Sequence, residues 1–259
     1  MADFSKILIA NRGEIAVRIC RTAKAMGYRT VAVYSDADAN ARHVRLADQA
    51  VRIGPAVVSA SYLVIEQILE AAKKTGADAI HPGYGFLAEN EQFAQACKEA
   101  GIVFIGPAPE AIRCMGNKQI AKERILEVGI PCIPGYQGHD QSEARLMIEG
   151  PKIGFPLMVK AAAGGGGKGM RLVKGEALLL EALRSAKSEA SNAFGSEALI
   201  LEKAVLDARH VEIQIFADSH GNMIHLGERD CSIQRRHQKV VEESPSPVVD
   251  EALRQKMGN

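Results

Sequence analysis

The sequence predicts an α/β protein: an open parallel α/β sheet domain followed by a second module of different character. Short apolar runs alternate with segments of helical period through the first third of the chain, the pattern of strands joined by crossover helices. Glycines stand where each of those helices should stop. After Gly106-Pro107 the alternation gives way to Pro/Gly-punctuated sequence and a run of glycines between two β-type stretches.

Residues 6–10, Lys-Ile-Leu-Ile-Ala, form a short buried strand. Residues 14–26 place Ile15, Ile19, Ala23 and Met26 on one helical face, and Gly27 ends that helix before a strand at 30–34. The unit recurs. Residues 62–74 carry Ile65, Ile68, Leu69 and Ala72 on one face and end at Gly76, before a strand at 77–80; a helix at 89–100 leads through Gly101 into a strand at 102–105. Parallel pairing with right-handed crossovers follows, giving a first domain over residues 1–115. A polar helix at 117–128 and the Pro/Gly-rich stretch after it are expected to form a linker and hinge, residues 116–133. The module at 134–204 has strands at 157–160 and 170–173 around the glycines, a long helix at 176–193 and a strand at 199–202.

From His210 the alternation is strict: Val211, Ile213 and Ile215 face one way, His210, Glu212 and Gln214 the other. One face of that strand is therefore polar and a candidate for function. Asp250 caps a tail helix with Leu253 and Met257 in its first turns. No strand or packing partner follows, so residues 205–259 read as the start of a domain continuing beyond Asn259.

Composition narrows the function classes. Charged residues are 24 % and apolar residues 47 % of the 259, which excludes disordered and collagen-like chains. Lys plus Arg number 32 against 31 Asp plus Glu, so nothing global draws the chain to nucleic acid or an anionic membrane, and any anion site is local. The apolar runs fall far short of the roughly 18 residues a membrane helix needs. The first residues lack a basic region, a long apolar region and a cleavage site, and the chain reads as cytoplasmic, or mitochondrial matrix if eukaryotic. Five scattered cysteines without Cys-x-x-Cys suggest neither a disulfide framework nor a zinc site.

The glycine run Gly164-Gly165-Gly166-Gly167-Lys168-Gly169 formally satisfies Gly-x-Gly-x-x-Gly, but β-type Met170-Arg171-Leu172-Val173 follows where the dinucleotide fingerprint requires a helix. A Walker motif fails because Gly169, not Ser or Thr, follows Lys168. What remains is a loop between two strands whose bare backbone N–H groups can close over phosphates, with Lys160 and Lys168 near its ends; a solvent-exposed hairpin tip is the alternative. Residues 228–239 interleave four cations with Gln and His, which fits either a multi-anion site or a surface ion-pair network. With 5 % aromatics and no stacking pattern, nucleic acid is not indicated. His81-Pro82-Gly83-Tyr84-Gly85-Phe86 follows a strand at the edge where open α/β sheets bind ligands, although a tight turn with Phe86 in the core would satisfy the same spacing. Asn11-Arg12-Gly13-Glu14 is a similar turn whose Glu14 disfavours a phosphate. His43, His139 and His220 lie singly in polar surroundings and are expected at the surface. Neither a Gly-x-Ser-x-Gly elbow nor a His-x-x-x-His pair is present.

Taken together and in order, Ile9-Ala10-Asn11-Arg12-Gly13-Glu14-Ile15-Ala16, residues 81–90, the glycine loop and residues 228–243 with Arg235-Arg236-His237-Gln238-Lys239 resemble the biotin carboxylase component of biotin-dependent carboxylases. The resemblance covers the whole chain and implies the ATP-grasp architecture: an N-terminal α/β domain, a small α+β lid and a C-terminal α+β domain, with ATP between the last two. It implies that Lys118 and Lys160 touch the ATP phosphates and that Gly166 and Gly167 lie in the lid over them. Glu202, Lys203 and Val205 match the hinge that holds adenine, and His210 and Gln234 the ribose and phosphate contacts. His237 would stand beside the phosphates and Lys239 at the bicarbonate or carboxyphosphate site, with Tyr84 and Gly85 lining the biotin pocket. The implied partners are bicarbonate, a biotin carboxyl carrier domain, a carboxyltransferase subunit and a second copy of the chain through the N-terminal domain.

Similarity to acyl-CoA carboxylase α subunits of the methylcrotonyl or geranyl type is also visible. Ala163 stands where many members of the family have another lid glycine. The family's Mg2+-binding acids, catalytic acid–base pair and biotin-side arginine fall beyond the position of Asn259, so nucleotide contacts without a complete active site are expected from this chain.

Overall fold

The computed structural model describes residues 4–163, 170–218, 220–235 and 238–258, and the chain divides into two compact units, 1–117 and 118–259. In the first, β1 (Lys6–Ile9), β2 (Arg29–Ser35), β3 (Gln49–Gly54), β4 (Ala79–His81) and β5 (Val103–Phe104) form one parallel sheet in the order β3-β2-β1-β4-β5. The helices are α1 (Gly13–Ala25), α2 (Arg42–Leu46), α3 (Ile65–Thr75), α4 (Glu91–Glu99) and α5 (Pro109–Gly116).

Strand β1 explains the layering. Ile7 and Ile9 pack with Ala16, Cys20 and Ala23 of α1, while Leu8 and Ala10 join Ile68, Ala71 and Ala72 of α3 and Phe93 and Cys97 of α4. A strand covered on both faces reads as one continuous apolar run, which is why residues 6–10 stand out in the sequence. The strand order reverses between β1 and β4, so the turns after those two strands border the crevice where open sheets take ligands.

Two features depart from the sequence expectations. Strand β3 was not anticipated because it lies at the sheet edge and buries only Ile53 and Gly54 fully, too little for a strand signal. His43 is not a surface residue: α2 lies against β2, and the ring is buried with Nε2 3.2 Å from the Val33 carbonyl oxygen.

In the second unit, α6 (Lys118–Glu127), β6 (Gly135–Tyr136), α7 (Glu143–Ile153), β7 (Leu157–Ala161), β8 (Arg171–Val173), α8 (Leu179–Phe194) and β9 (Leu199–Lys203) follow in order. The strands form an antiparallel sheet, β6-β9-β7-β8. One face is the core: Leu157, Val159, Leu199 and Leu201 pack with Leu146 of α7 and Leu179, Leu183 and Ala186 of α8. Strand alternation leaves Lys160 on the other face. Helix α7 was not anticipated from the sequence, and Gly150 and Pro151 occupy its last turn.

A second antiparallel sheet holds β10 (Val211–Ala217), β11 (Met223–Arg235) and β12 (Gln238–Glu243), with α9 (Glu251–Gly258) following. Arg254 of α9 makes a two-pronged ion pair with the buried Glu228 of β11, at 2.7 and 2.8 Å. The alternation in β10 survives only in part. A register shift between Ile213 and Ile215 interrupts pairing with β11, and Ile215 remains 57 % exposed.

Candidate functional site

In the first unit, the turn after β4 is held by a connected polar network. The Asn11 side-chain amide donates to the carbonyl oxygens of Pro82 (2.9 Å) and Tyr84 (3.0 Å), and the Gly83 N–H donates to His81 Nδ1 at 3.0 Å. Gly83 takes φ +71°, and a Cβ there would stand 2.6 Å from Asn11 Nδ2. Phe86, also at positive φ, is not in the core; it is partly exposed and stacks on the buried Tyr62 with ring centroids 5.2 Å apart.

The Tyr62 hydroxyl donates to Asp38 (2.7 Å), whose carboxylate also receives the Ser35 hydroxyl (3.1 Å) and pairs with Arg12 (3.0 Å). Burial first, and then the hydrogen bond to Asp38, pushes the Tyr62 hydroxyl up to about 12, so it stays a donor. The result is a rigid turn presenting Tyr84, 54 % exposed, and Gly85 at its tip.

In the second unit, lysines of α6 and β7 gather on one acid of β9. Met158 pairs with Glu202 across β7 and β9, so Lys160, two residues on, is the diagonal neighbour of Glu202, within reach of a long side chain. Lys160 Nζ lies 2.5 Å from Glu202 Oε2, and Lys122 Nζ lies 2.8 Å from Oε1. Burial pushes the Glu202 carboxyl up, but the hydrogen bonds from Lys122 and Lys160 outweigh it and hold the group below its ordinary range. Lys118 joins the cluster electrostatically: burial lowers its pKa, the nearby Lys160 charge lowers it further, and Glu202 opposes both. Its backbone N–H donates to the Ala162 carbonyl oxygen at 3.2 Å, which fixes the start of α6 beside the end of β7.

A third cluster lies on the polar face of β10 and on β11 and β12. Glu212 receives Lys239 on Oε2 and Arg229 on Oε1, each at 2.5 Å, and Arg229 also donates to the Gln214 side-chain oxygen at 3.2 Å. Lys239 first, then Arg229, holds the Glu212 carboxyl down to about 2 against burial. Gln234 Nε2 is 2.7 Å from His210 Nδ1. With the amide donating, the ring proton sits on Nε2, which lies 3.8 Å from Glu212 Oε2. The stretch 228–239 thus splits in use: Glu228 and Asp230 are buried in structural hydrogen bonds and ion pairs, whereas Arg229, Gln234 and Lys239 converge on Glu212 and His210.

Of the other residues singled out in the sequence, Lys203 donates its ammonium to the Phe155 carbonyl oxygen at 2.9 Å, and Val205 is exposed. Gly166, Gly167, Lys168 and His237 lie outside the described residues. Sequence reasoning missed Lys122 and did not single out Glu212 or Arg229. The last two stood in stretches already marked, one on the polar strand face and one in the cation cluster. Lys122 had no signal, because α6 leaves Ile120 and Leu126 exposed and shows no clean apolar face.

Among the described residues one group has metal-ligand types close together, Glu212, Cys231 and Glu242 within 4.8 Å. Its donors do not suit Mg2+, which takes oxygen ligands, and Glu212 is already paired with two cations. No step is routed through a metal here. No helix among the described residues is long and apolar enough to cross a membrane.

Two family models match: "Biotin carboxylase, N-terminal domain" over residues 3–112 and "Carbamoyl-phosphate synthase L chain, ATP binding domain" over 117–259. The chain is 55 % identical to the methylcrotonoyl-CoA carboxylase subunit alpha of Dictyostelium discoideum, a match covering 98 % of this chain and 36 % of that one. It is similar to the crystal structure of the Campylobacter jejuni biotin carboxylase–β-γ-ATP complex, with TM-score 0.95 and 48 % identity over 98 % of this chain and 57 % of that one. It is also similar to the biotin carboxylase domain dimer of Hydrogenobacter thermophilus 2-oxoglutarate carboxylase, solved with MgADP, ADP and bicarbonate. There the TM-score is 0.94 and the identity 45 %, over 100 % of this chain and 57 % of that one. The chain thus spans about a third of the length of the first and just over half of the other two.

Proposed function

The chain belongs to the biotin carboxylase family and has its ATP-grasp fold, and from that membership we propose that it furnishes the ATP-phosphate side and part of the biotin side of a biotin carboxylase. A bicarbonate oxygen attacks the γ-phosphorus of ATP, ADP leaves, and carboxyphosphate forms. Carboxyphosphate breaks down to CO2 and phosphate, and the N1′ nitrogen of biotin on a carrier domain takes up the CO2 and gives its proton to the released phosphate. Phosphoryl transfer asks a protein chiefly for charge neutralisation and alignment. Lys118 and Lys160 supply the first for the ATP phosphates, with the lid glycines Gly166 and Gly167 and with His237. Glu202, Lys203 and Val205 hold the adenine end, His210 and Gln234 the ribose, and Lys239 the bicarbonate or carboxyphosphate. Tyr84 and Gly85 line the biotin pocket on their rigid turn.

Residues 134–204 act as the lid and 205–259 open the C-terminal domain, after a linker at 116–133. Magnesium-binding acids and the catalytic acid–base pair fall to residues outside the matched portion of the family. The partners are a carrier domain, a carboxyltransferase subunit and a second copy of the chain. The final acceptor is an acyl-CoA or a keto acid, chosen by the carboxyltransferase, and the setting is the cytoplasm or the mitochondrial matrix.

The observation that supports this reading is that Lys160, marked from the residues and from the family resemblance, pairs with Glu202 at 2.5 Å while Lys118, marked from the resemblance, feels the charges of both. The test is ADP release by the whole protein. It should require bicarbonate and rise when free biotin is added; release indifferent to both would overturn the reading. The match of residues 117–259 to a carbamoyl-phosphate synthase ATP-binding domain favours a second reading, another ATP-grasp carbon–nitrogen ligase, and biotin stimulation separates the two.

A further inference from the structure

We propose that Lys122 is a positioning residue that keeps the Glu202 carboxylate neutralised while Lys160 transfers from it to the nucleotide phosphates. This rests on the reading of Lys160 as a phosphate contact. The geometry is that of a shared acid: each Glu202 oxygen has its own lysine, Lys122 on Oε1 and Lys160 on Oε2. The two lysines differ in freedom. Lys122 has a side chain 9 % exposed and reaches Glu202 from α6, whereas Lys160 is 25 % exposed on β7.

Space for the inner pair is made by β6. Gly135 pairs with Glu202, and a Cβ at 135 would stand 3.0 Å from Lys122 Nζ and 3.1 Å from Glu202 Cγ. The same Cβ would clash with the Leu201 carbonyl oxygen, so a residue larger than glycine at 135 would displace β9 as well as press on the Lys122–Glu202 contact.

A buried carboxylate stripped of its only cation is strongly disfavoured, more so than a buried pair is favoured. Were Lys160 the sole partner of Glu202, every phosphate it approached would have to compete with that penalty. With Lys122 in place, Lys160 can leave and Glu202 keeps one close hydrogen-bonded cation. Lys122 touches neither substrate nor reacting atoms; it sets how firmly Lys160 is held.

The groups facing Glu202 are Lys122 and, at longer range, Lys118 from α6, and Lys160 from β7; Tyr136 of β6 sends its hydroxyl to the Asp140 carbonyl oxygen instead. In Lys122→Met one pKa-lowering contact is gone while burial, which raises the pKa, remains. The Glu202 pKa then rises, and Lys160 is left as its one close hydrogen-bonded cation.

The experiment is calorimetric binding of ATP and of adenosine to the protein and to Lys122→Met and Lys122→Arg. Lys122→Met should weaken ATP binding about tenfold and weaken adenosine binding by clearly less. Lys122→Arg should bind ATP like the parent. Equal ATP affinity in Lys122→Met, or an equal loss for adenosine and ATP, overturns the proposal. A parent protein that does not bind ATP more tightly than adenosine overturns the underlying phosphate reading instead.

Discussion

Lys239→Ala should abolish bicarbonate-dependent ADP release in the whole enzyme, a loss of about 100-fold or more, while ATP affinity stays within several-fold. Lys239 brings a compact charge to the face where His210, Gln234 and Glu212 meet, and Glu212 holds that charge in place from 2.5 Å. On the proposed reading, removing the ammonium takes a point charge away from the bicarbonate site. Glu212 is not stranded in the variant, because Arg229 still pairs with its other oxygen at 2.5 Å. The fold and the separate Lys118–Lys160–Glu202 cluster should therefore persist. Near-normal turnover in Lys239→Ala would remove Lys239 from the bicarbonate site.

Gly83→Ala should destabilise the first unit by about 2 kcal/mol more than Gly101→Ala. Both glycines sit near φ +70°, at +71° and +69°, so the left-handed backbone penalty is common to the two. They differ in what a Cβ meets. At 101 nothing lies within 4 Å, whereas at 83 the new atom falls 2.6 Å from Asn11 Nδ2 and 2.9 Å from Ile15 Cγ2. Relief requires moving either the Asn11 side chain, with loss of its hydrogen bonds to Pro82 and Tyr84, or the N-terminal turn of α1. Overpacking of this kind costs roughly 1–3 kcal/mol. Denaturant unfolding of both variants gives the difference, and equal midpoints would mean that the turn is free to shift. The same variant should weaken stimulation by biotin, since the turn presents Tyr84 and Gly85.

Much of the first unit was legible because its central strands are covered on both faces. Residues 7–10 and 31–34 are continuous apolar runs, and the helices of this unit end at Gly27, Gly76 and Gly101, each at positive φ. Edge strand β3 and the β11–β12 hairpin were not legible as strands. The first buries only its last two residues, and the second carries charges whose partners lie on another strand, such as Arg229 with Glu212, or on a helix, such as Glu228 with Arg254. His43 misled for a related reason: polar neighbours in sequence did not reveal that α2 lies on β2.

In the site, residues could be marked one by one, from the strand pattern and the family resemblance, but their pairing could not. Lys160, Glu202, His210, Gln234 and Lys239 could each be marked, but that Glu202 takes two lysines and that Glu212 anchors Lys239 depends on strand register and on a helix folding back from residue 118. Those are three-dimensional facts with no local signature.

Titration of the protein with adenosine, AMP, ADP and ATP reads whether the lysine cluster receives phosphates. Affinity should climb with each phosphate added, ATP should bind about 100-fold or more tightly than adenosine, and the gap should shrink as salt screens the charges. Equal affinity for adenosine and ATP would show that Lys118 and Lys160 do not meet the phosphates, and the nucleotide site would have to be sought elsewhere in the chain.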